Sequence, residues 1–325
     1  MKRGMVLGKF LPPHKGHEYL INFAAKFVDE LTVVVGTLQA EPIPGEIRFE
    51  WIKQLFPNLN VVHLTDENPQ YPEEHEDFWN IWKSSLERVL PCQPDYVFAS
   101  EDYGLKLAEV LEAEFIPCDP GRNIMPVSGT AVRDEPFENW QYLTAPVKQW
   151  YLKRVCIVGP ESVGKSTLTS NLAQHFDTNF VPEYARTFLE MKNGELSFED
   201  LSKIAQGQAS SQKSLESQAN KIIFTDTDPL TTSIWSEFLY QKCDHSIYQL
   251  AEKFDYDLYL LLDVDVPWVE DVVRYLPENR KDFFELIEKK LIQNHRNYRV
   301  IRGDWDERFD QSVKFIEEFF GGLNE

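Results

Sequence analysis

The sequence predicts an α/β protein built from two doubly wound parallel-sheet domains, residues 1–150 and residues 151–325. A chain of 325 residues exceeds what one hydrophobic core usually serves. Two segments also begin alike, with an apolar strand-like run, a glycine-containing loop and an amphipathic helix. Strand-like and helical runs then alternate, which is typical of parallel sheets. The acidic, Trp-rich stretch Asp134–Trp150 separates the halves, and we expect it to hold a short helix and a connector.

In the first half, short apolar runs predict strands, and apolar residues repeated every three or four positions predict helices. The first strand covers Gly4–Phe10, and the loop LPPHKGH leads from it into a helix that begins at about Glu18. Further strands are predicted at Leu31–Gly36, Asn60–Leu64, Tyr96–Ala99 and Phe115–Pro117. Helices are predicted at Phe49–Leu55, Phe78–Leu90 and Leu105–Ala113.

The same patterns continue in the second half. A strand at Arg154–Val158 runs into the loop GPESVGKS, and a helix follows from about Ser166. Further strands are predicted at Lys221–Thr225, Leu258–Leu262 and Tyr298–Arg302. Helices are predicted at Phe198–Ala219, Lys281–Asn294 and Glu307–Phe320.

Composition and charge argue against several classes of protein. The apolar content of 42% and the charged content of 26% are ordinary for soluble globular proteins. The net charge of −20 argues against non-specific binding to nucleic acid or to an anionic membrane, because both need surfaces rich in Lys and Arg. The sequence has no signal-peptide pattern, no long apolar span and no C-x-x-C pair among its four cysteines. We therefore expect a soluble, cytoplasmic protein with reduced thiols.

The loop Gly159–Ser166 fills every fixed position of the phosphate-binding pattern G-x-x-x-x-G-K-[ST]. The glycines let the backbone curl so that its N–H groups point at phosphate oxygens. Lys165 supplies a cation for the β- and γ-phosphates, and the hydroxyl of Ser166 can ligate Mg²⁺. A strand before the loop and a helix after it complete the expected context, so this half is predicted to bind ATP and Mg²⁺.

Two aspartates follow the next apolar strand of this half. The run KIIFTDTDPLTT puts Asp226 and Asp228 at the carboxyl end of that strand, where open α/β sheets bind ligands. One carboxylate, which we assign to Asp226, can hold Mg²⁺ together with Ser166, and the other can orient or deprotonate an acceptor hydroxyl. The alternative is that the aspartates cap the following helix.

Two more polar groups are candidates for contacts with substrate or ATP. Glu183, Tyr184 and Arg186 cluster in VPEYART, where a structural Glu183–Arg186 ion pair is the alternative. Arg274 and Arg280 lie in PWVEDVVRYLPENRK, a segment that could close over the ATP phosphates. A solvated charged helix is the alternative for that segment.

The first half carries a different anion-binding pattern. His14 and His17, in the sequence HKGH, follow a strand and lie at a predicted helix N-terminus. Both imidazoles can donate hydrogen bonds to triphosphate oxygens, Gly16 lets the backbone approach a ligand, and the helix dipole adds to the attraction. Such a site is compatible with adenylyl transfer. That reaction needs no protein nucleophile, since positioning of the reactants and neutralisation of the charge in the transition state suffice.

A second segment strengthens this interpretation. The run PVSGTAVR places Ser128, Thr130 and Arg133 on a loop that enters a helix near the end of the same domain. Hydroxyls, backbone N–H groups and one guanidinium there would form the other side of a phosphate clamp. On its own this segment is equally typical of an ordinary helix N-cap.

Together these motifs resemble known families. GKFLPPHKGH with PVSGTAVR resembles the nucleotidylyltransferase superfamily, and specifically its nicotinamide-mononucleotide (NMN) adenylyltransferases. GPESVGKST, PEYAR and TDTDPLTT resemble the ribosylnicotinamide kinase domain that some bacteria fuse to such an adenylyltransferase. The resemblance covers nearly the whole chain. It implies a Rossmann-like nucleotidylyltransferase domain followed by a P-loop kinase domain. The implied reactions are nicotinamide riboside plus ATP to NMN, then NMN plus ATP to NAD and pyrophosphate, with Mg²⁺ in both.

The matching motifs imply two sets of site residues. The catalytic residues of the adenylyl-transfer site are His14, His17 and Arg133. Those of the kinase site are Lys165, Asp226 and Asp228. The adenylyl-transfer site takes Gly8, Lys9, Phe10, Leu11, His14, Gly16, His17, Ser100, Glu101, Asp102, Tyr103, Ser128, Gly129, Thr130 and Arg133. The kinase site takes Gly159, Glu161, Ser162, Val163, Gly164, Lys165, Ser166, Thr167, Glu183, Arg186, Asp226 and Asp228. Tyr184 and Trp268 are the candidates for stacking on the pyridinium ring.

Some relatives carry an additional N-terminal helix-turn-helix that binds DNA. Here the first motif begins within ten residues of Met1, so we expect no such domain and no nucleic-acid or membrane partner. The expected ligands are nicotinamide riboside, NMN, ATP and NAD, and a homo-oligomer is compatible with the sequence. Two alternatives stay open: a fusion that acts on another nucleoside or on phosphopantetheine, and a regulator that senses nucleotide or NAD with only one active half.

Overall fold

The computed structural model describes residues 1–270, 278–321 and 323. The chain divides into two compact units, Met1–Trp150 and Tyr151–Glu325. In the described part of each unit, five strands form one sheet, and all neighbouring strands are parallel. The prediction of two doubly wound α/β sheets is confirmed.

The sheet of the N-terminal unit has the order β3-β2-β1-β4-β5. Its strands are β1 (Arg3–Gly8), β2 (Glu30–Gly36), β3 (Asn60–Leu64), β4 (Tyr96–Ala99) and β5 (Glu114–Pro117). The helices are α1 (Lys15–Phe27), α2 (Gly45–Leu55), α3 (Phe78–Val89), α4 (Tyr103–Val110), α5 (Gly129–Asp134) and α6 (Ala145–Tyr151), the last ending at the first residue of the second unit.

Both faces of this sheet are buried. Val33 and Val35 of β2 join the core cluster that includes Ile21 and Ile52, from α1 and α2. Val34 points the other way and packs in the cluster that includes Leu86 of α3. Successive side chains of a strand face opposite sides, so an unbroken apolar run is what a strand covered on both faces requires.

The sheet of the C-terminal unit has the order β10-β9-β6-β8-β7 in the described residues. Its strands are β6 (Lys153–Val158), β7 (Phe180–Val181), β8 (Ile222–Asp226), β9 (Leu258–Leu262) and β10 (Tyr298–Ile301). The helices are α7 (Lys165–His175), α8 (Tyr184–Met191), α9 (Phe198–Glu216), α10 (Pro229–Tyr240), α11 (His245–Lys253), α12 (Arg280–Gln293) and α13 (Trp305–Phe320).

The boundaries of the predicted elements differ from the structure at a few points with local causes. The first strand ends at Gly8 and not at Phe10, whose φ of 46° leaves the extended conformation. Helix α1 begins at Lys15, earlier than the predicted Glu18, because His14 caps it. Helices α10 and α11 were not predicted. Most of the side chains of α10 are buried, so its sequence lacks the polar face that marks an amphipathic helix.

Candidate active sites

The first site is a cavity at the carboxyl ends of β1 and β4. The chain places β2 and β3 on one side of β1 and β4 and β5 on the other, and a sheet opens a crevice at such a reversal. The cavity has a volume of about 700 Å³. Every residue that motif matching assigned to adenylyl transfer lines it except Asp102, which immediately precedes α4.

Two histidines from the first turn of α1 lie side by side in this cavity, with ring centroids 3.8 Å apart. The backbone N–H of Gly16 donates to Nδ1 of His14 (3.1 Å), and the backbone N–H of His14 donates to Nδ1 of His17 (3.3 Å). Burial, aided by the charge of Arg122, lowers the pKa of His14 to about 4 and holds that of His17 well below its ordinary value. Each ring is therefore neutral near pH 7, with Nδ1 as an acceptor and Nε2–H as its one donor.

The segment that carries Arg133 packs directly against the loop after β1. The guanidinium of Arg133 donates to the carbonyl of Leu11, and its other nitrogen donates to Oγ1 of Thr130 (3.2 Å). A side chain at Gly129 would begin 3.0 Å from the Leu11 carbonyl, so the glycine permits this approach. Ser128 caps α5 by accepting from the backbone N–H of Ala131 (3.1 Å), as the N-cap alternative expected.

Other residues of the cavity were missed from sequence. Trp79 and Trp82 of α3 give it an aromatic wall, and Arg122 adds a cation that pairs with Glu101 at 3.3 Å. The two tryptophans occupy ordinary apolar positions of an amphipathic helix, so their spacing did not separate them from core residues. Arg48 is wholly buried and donates to the carbonyl of Lys9. This hydrogen bond fixes the backbone of the loop after β1.

The second site is the loop between β6 and α7. Gly159 and Gly164 have φ angles of +155° and +85°, and the second lies in a region that side chains disfavour. Nζ of Lys165 donates to the carbonyl of Pro160 (3.0 Å), which folds the side chain back over the loop. The hydroxyl of Ser166 donates to Oδ2 of Asp226 at 2.5 Å, so these two predicted metal ligands lie together.

The two aspartates after β8 have different surroundings. Burial and the nearby charge of Glu183 raise the pKa of Asp226, while Lys165 and Ser166 act in the opposite direction. Asp228 caps α10, because one carboxylate oxygen accepts from both the N–H and the hydroxyl of Thr231. Its other oxygen accepts from the hydroxyl of Tyr259 at 2.9 Å. This arrangement favours the capping alternative for Asp228, whose side chain is buried.

The remaining predicted kinase residues are arranged around the same end of the sheet. Glu183 precedes α8, and Arg186 pairs with Glu190 at 3.1 Å. Arg280 donates to the carbonyl of Ser162 (3.4 Å) in the phosphate-binding loop, and its guanidinium lies 6.0 Å from the ring of Trp268. Arg274 lies outside the described residues.

Tyr184 is held by α9. A side chain at Gly207 would begin 2.1 Å from its ring, so the ring rests on the helix backbone there. Sequence reasoning missed Gln208, a buried residue of the same helix whose amide accepts from the backbone N–H of Tyr184 (2.8 Å) and donates to the carbonyl of Asp226 (3.2 Å). Gln208 lies in Gln206–Gln218, a stretch of α9 rich in Ser and Gln that resembles a polar helix face, and nothing in that pattern distinguishes it.

Across 1–270, 278–321 and 323, no group of three or more His, Cys, Asp or Glu side chains is placed to hold a metal ion. Within the same ranges, no helix has the length and apolar character needed to cross a bilayer.

Comparison with known proteins then defines the family. The chain is 33% identical over 344 residues to the "Trifunctional NAD biosynthesis/regulator protein NadR" of Escherichia coli (strain K12), covering 98% of this chain and 83% of that protein. The chain belongs to the NadR family. The resemblance inferred from the motifs is thereby confirmed.

Further likenesses agree with this family membership. A model of the AAA domain matches residues 154–308. A solved NadR protein in complex with NR has a TM-score of 0.79 and 22% identity, covering 99% of this chain and 96% of the other. A NadR protein in complex with NAD and AMP-PNP has a TM-score of 0.77 and 22% identity over the same shares. At this identity the two structures show a common fold.

Proposed function

We propose that this chain is a bifunctional NAD-salvage enzyme. Its C-terminal unit transfers the γ-phosphoryl group of ATP to nicotinamide riboside, giving NMN and ADP. Its N-terminal unit transfers the adenylyl group of a second ATP to NMN, giving NAD and pyrophosphate. The observation that carries the proposal is that one chain of the NadR family has two anion-binding loops, each where a central strand leads into a helix.

In the N-terminal unit, the donors of the cavity match what adenylyl transfer requires. The Nε2–H groups of His14 and His17 and the guanidinium of Arg133 are held by backbone contacts, so little reorganisation is needed when charge develops on the phosphates. The NMN phosphate attacks the α-phosphorus of ATP, and pyrophosphate leaves. Binding and alignment of the two nucleotides supply the acceleration.

The aromatic wall of the same cavity suits the nicotinamide ring. Trp79 and Trp82 line the cavity, and Tyr71 and Phe78 add two more aromatic rings to its lining. A positively charged pyridinium is attracted to the electron-rich face of tryptophan. We assign the nicotinamide end of NMN to this wall.

In the C-terminal unit, the loop after β6 is the site for ATP. Lys165 is already drawn over the loop, where a triphosphate would replace the Pro160 carbonyl as its partner. Ser166 and Asp226 fit Mg²⁺, because both offer oxygen ligands and lie within hydrogen-bond reach of each other. These two residues would hold the ion, which would neutralise charge on the transferred group.

The riboside acceptor would lie beside the loop near the start of α8. Glu183 is close enough to Asp226 to raise its pKa, and because Asp226 is assigned to Mg²⁺, Glu183 is the carboxylate that can receive the proton of the acceptor hydroxyl. Tyr184 and Trp268 stay the candidates for the pyridinium ring, Arg186 stays a candidate for contact with the substrate, and Arg280 for contact with the ATP phosphates. A cytoplasmic location, a homo-oligomer and the absence of nucleic-acid partners stay predictions.

Product analysis tests this proposal. The purified chain is incubated with nicotinamide riboside, ATP and Mg²⁺ only, and the products are separated by chromatography. We expect NMN and ADP to appear first, and NAD and pyrophosphate to follow. Formation of NMN without NAD would refute the proposed N-terminal activity. Failure to consume the riboside would refute the proposed kinase activity.

A further inference from the structure

Arg308 of α13 is a buried arginine to which the sequence motifs gave no role. It is 1% exposed. Its Nε donates to the carbonyl of Gly303 (2.9 Å), and Nη1 donates to the carbonyl of Val163 (2.6 Å). Its Nη2 donates to the carbonyl of Asp263 (2.9 Å) and to the carboxylate of Asp265. A charge buried this deeply is costly unless it is paired and hydrogen-bonded, and here each of the three nitrogens donates to an acceptor.

These acceptors lie in the loops that follow three neighbouring strands. Val163 lies in the loop after β6, Asp263 follows β9 and Gly303 follows β10, and the sheet order places these strands side by side. The backbone N–H of Gly303 also donates to Asp265 at 2.6 Å. One guanidinium therefore joins three loops at the carboxyl edge of the sheet, the edge where ligands bind.

The contact with Val163 has a direct consequence for the phosphate-binding loop. In a trans peptide the C=O and the following N–H point in opposite directions. Because the Val163 carbonyl points at Arg308, the N–H of Gly164 points away from the arginine. Trp305, one turn earlier in α13, packs so closely that a side chain at Gly164 would begin 2.2 Å from its ring.

We propose that Arg308 is a positioning residue for ATP binding: with Trp305 it holds the Val163–Gly164 peptide in the orientation that accepts a triphosphate. The proposal rests on the proposed kinase function of this unit. Arg308 touches no substrate in this account. It acts through the backbone of the loop, and Lys165 follows Gly164 directly.

The test uses two variants of the full chain. Arg308→Met keeps a side chain of similar size and removes every hydrogen bond of the guanidinium. Arg308→Lys keeps the positive charge but has a single nitrogen. Arg299→Met is the matched control, since Arg299 is an exposed arginine of β10. Binding of the Mg²⁺ complex of AMP-PNP is measured by calorimetry, and Lys165→Ala identifies which isotherm belongs to the C-terminal site. KM and kcat are measured for riboside phosphorylation and for NMN adenylylation.

We expect Arg308→Met to weaken AMP-PNP binding at the C-terminal site at least tenfold and to raise KM for ATP equally. KM for nicotinamide riboside should stay within twofold, and NMN adenylylation should match the Arg299→Met control. Arg308→Lys should recover only part of the affinity, because an ammonium group cannot reach Val163, Gly303 and Asp263 together. If Arg308→Met unfolds the unit, the AMP-PNP affinity of Arg308→Lys tests the proposal.

Unchanged AMP-PNP affinity in a folded Arg308→Lys or Arg308→Met variant would overturn the proposal. An equal rise in KM for the riboside and for ATP would do the same, because it would indicate general distortion of the unit. The calorimetric measurement of AMP-PNP binding does not depend on turnover. If the wild-type chain fails to phosphorylate the riboside, the kinase function is wrong while the effect of Arg308 on nucleotide binding is still measured.

Discussion

Lowering the pH from 7 to 5 should destabilise the N-terminal unit through His14. Burial and the charge of Arg122 lower the pKa of this residue to about 4, from an ordinary value of 6.5. Between these two values the unfolded chain binds a proton that the folded chain does not. The stabilisation is therefore present above pH 7 and is lost as the pH falls from about 6.5 to about 4.

The magnitude follows from the pKa difference. At pH 5 the imidazole of His14 is almost fully protonated in the unfolded chain and almost fully neutral in the folded one, which costs about 2 kcal/mol relative to pH 7. His17 acts in the same direction, since burial also lowers its pKa. A loss of this size is a large part of the roughly 5–15 kcal/mol that stabilises a typical domain.

The matched variant is His14→Asn, because asparagine can cap α1 as His14 does but does not titrate in this range. Hydrogen exchange of the β2 amides, corrected for intrinsic rates, reports the free energy of opening of the buried sheet at pH 7 and at pH 5. The wild type should lose about 2 kcal/mol more than the variant between these pH values. Equal losses would mean that folding does not lower the pKa of His14, and the argument that burial keeps its ring neutral would be refuted.

Three substitutions test other parts of the sites. Gly164→Ala should abolish riboside phosphorylation, because φ is +85° and the methyl would meet Trp305; activity within twofold of wild type would contradict the geometry of the loop. Ser166→Ala should lower kinase kcat at least about 100-fold and raise the Mg²⁺ concentration needed for half-maximal rate, and an unchanged Mg²⁺ titration would exclude Ser166 as a ligand. Trp79→Ala should raise KM for NMN about two- to tenfold with little change in kcat, as expected for loss of one stacking contact; an unchanged KM would place the nicotinamide ring elsewhere.

The strands and the phosphate-binding loops could be predicted because they depend on local sequence. Apolar runs such as Leu258–Leu262 form strands at the predicted residues, since a strand buried on both faces has no other pattern. The loops Gly159–Ser166 and His14–His17 are contiguous, so their glycines, cation and imidazoles can be recognised from spacing alone.

Contacts between distant segments could not be predicted in the same way. Arg308 meets Val163 across 145 positions of the chain, and Gln208 meets Asp226 because α9 packs against β7, which pairs with β8. Asp228 shows the converse, since its place at a strand end suggested chemistry while its bonds to Thr231 and Tyr259 favour a structural cap. Such roles depend on tertiary packing, which single-sequence patterns do not contain.

Two variants assayed side by side test whether two separate sites perform the two consecutive steps. With nicotinamide riboside and ATP, Lys165→Ala should form neither NMN nor NAD, yet it should convert supplied NMN to NAD at nearly the wild-type rate. His17→Ala should form NMN and stop there, and mixing the two variants should restore NAD from the riboside. If each folded variant lost both reactions, or if their mixture formed no NAD, the two-site account would be contradicted.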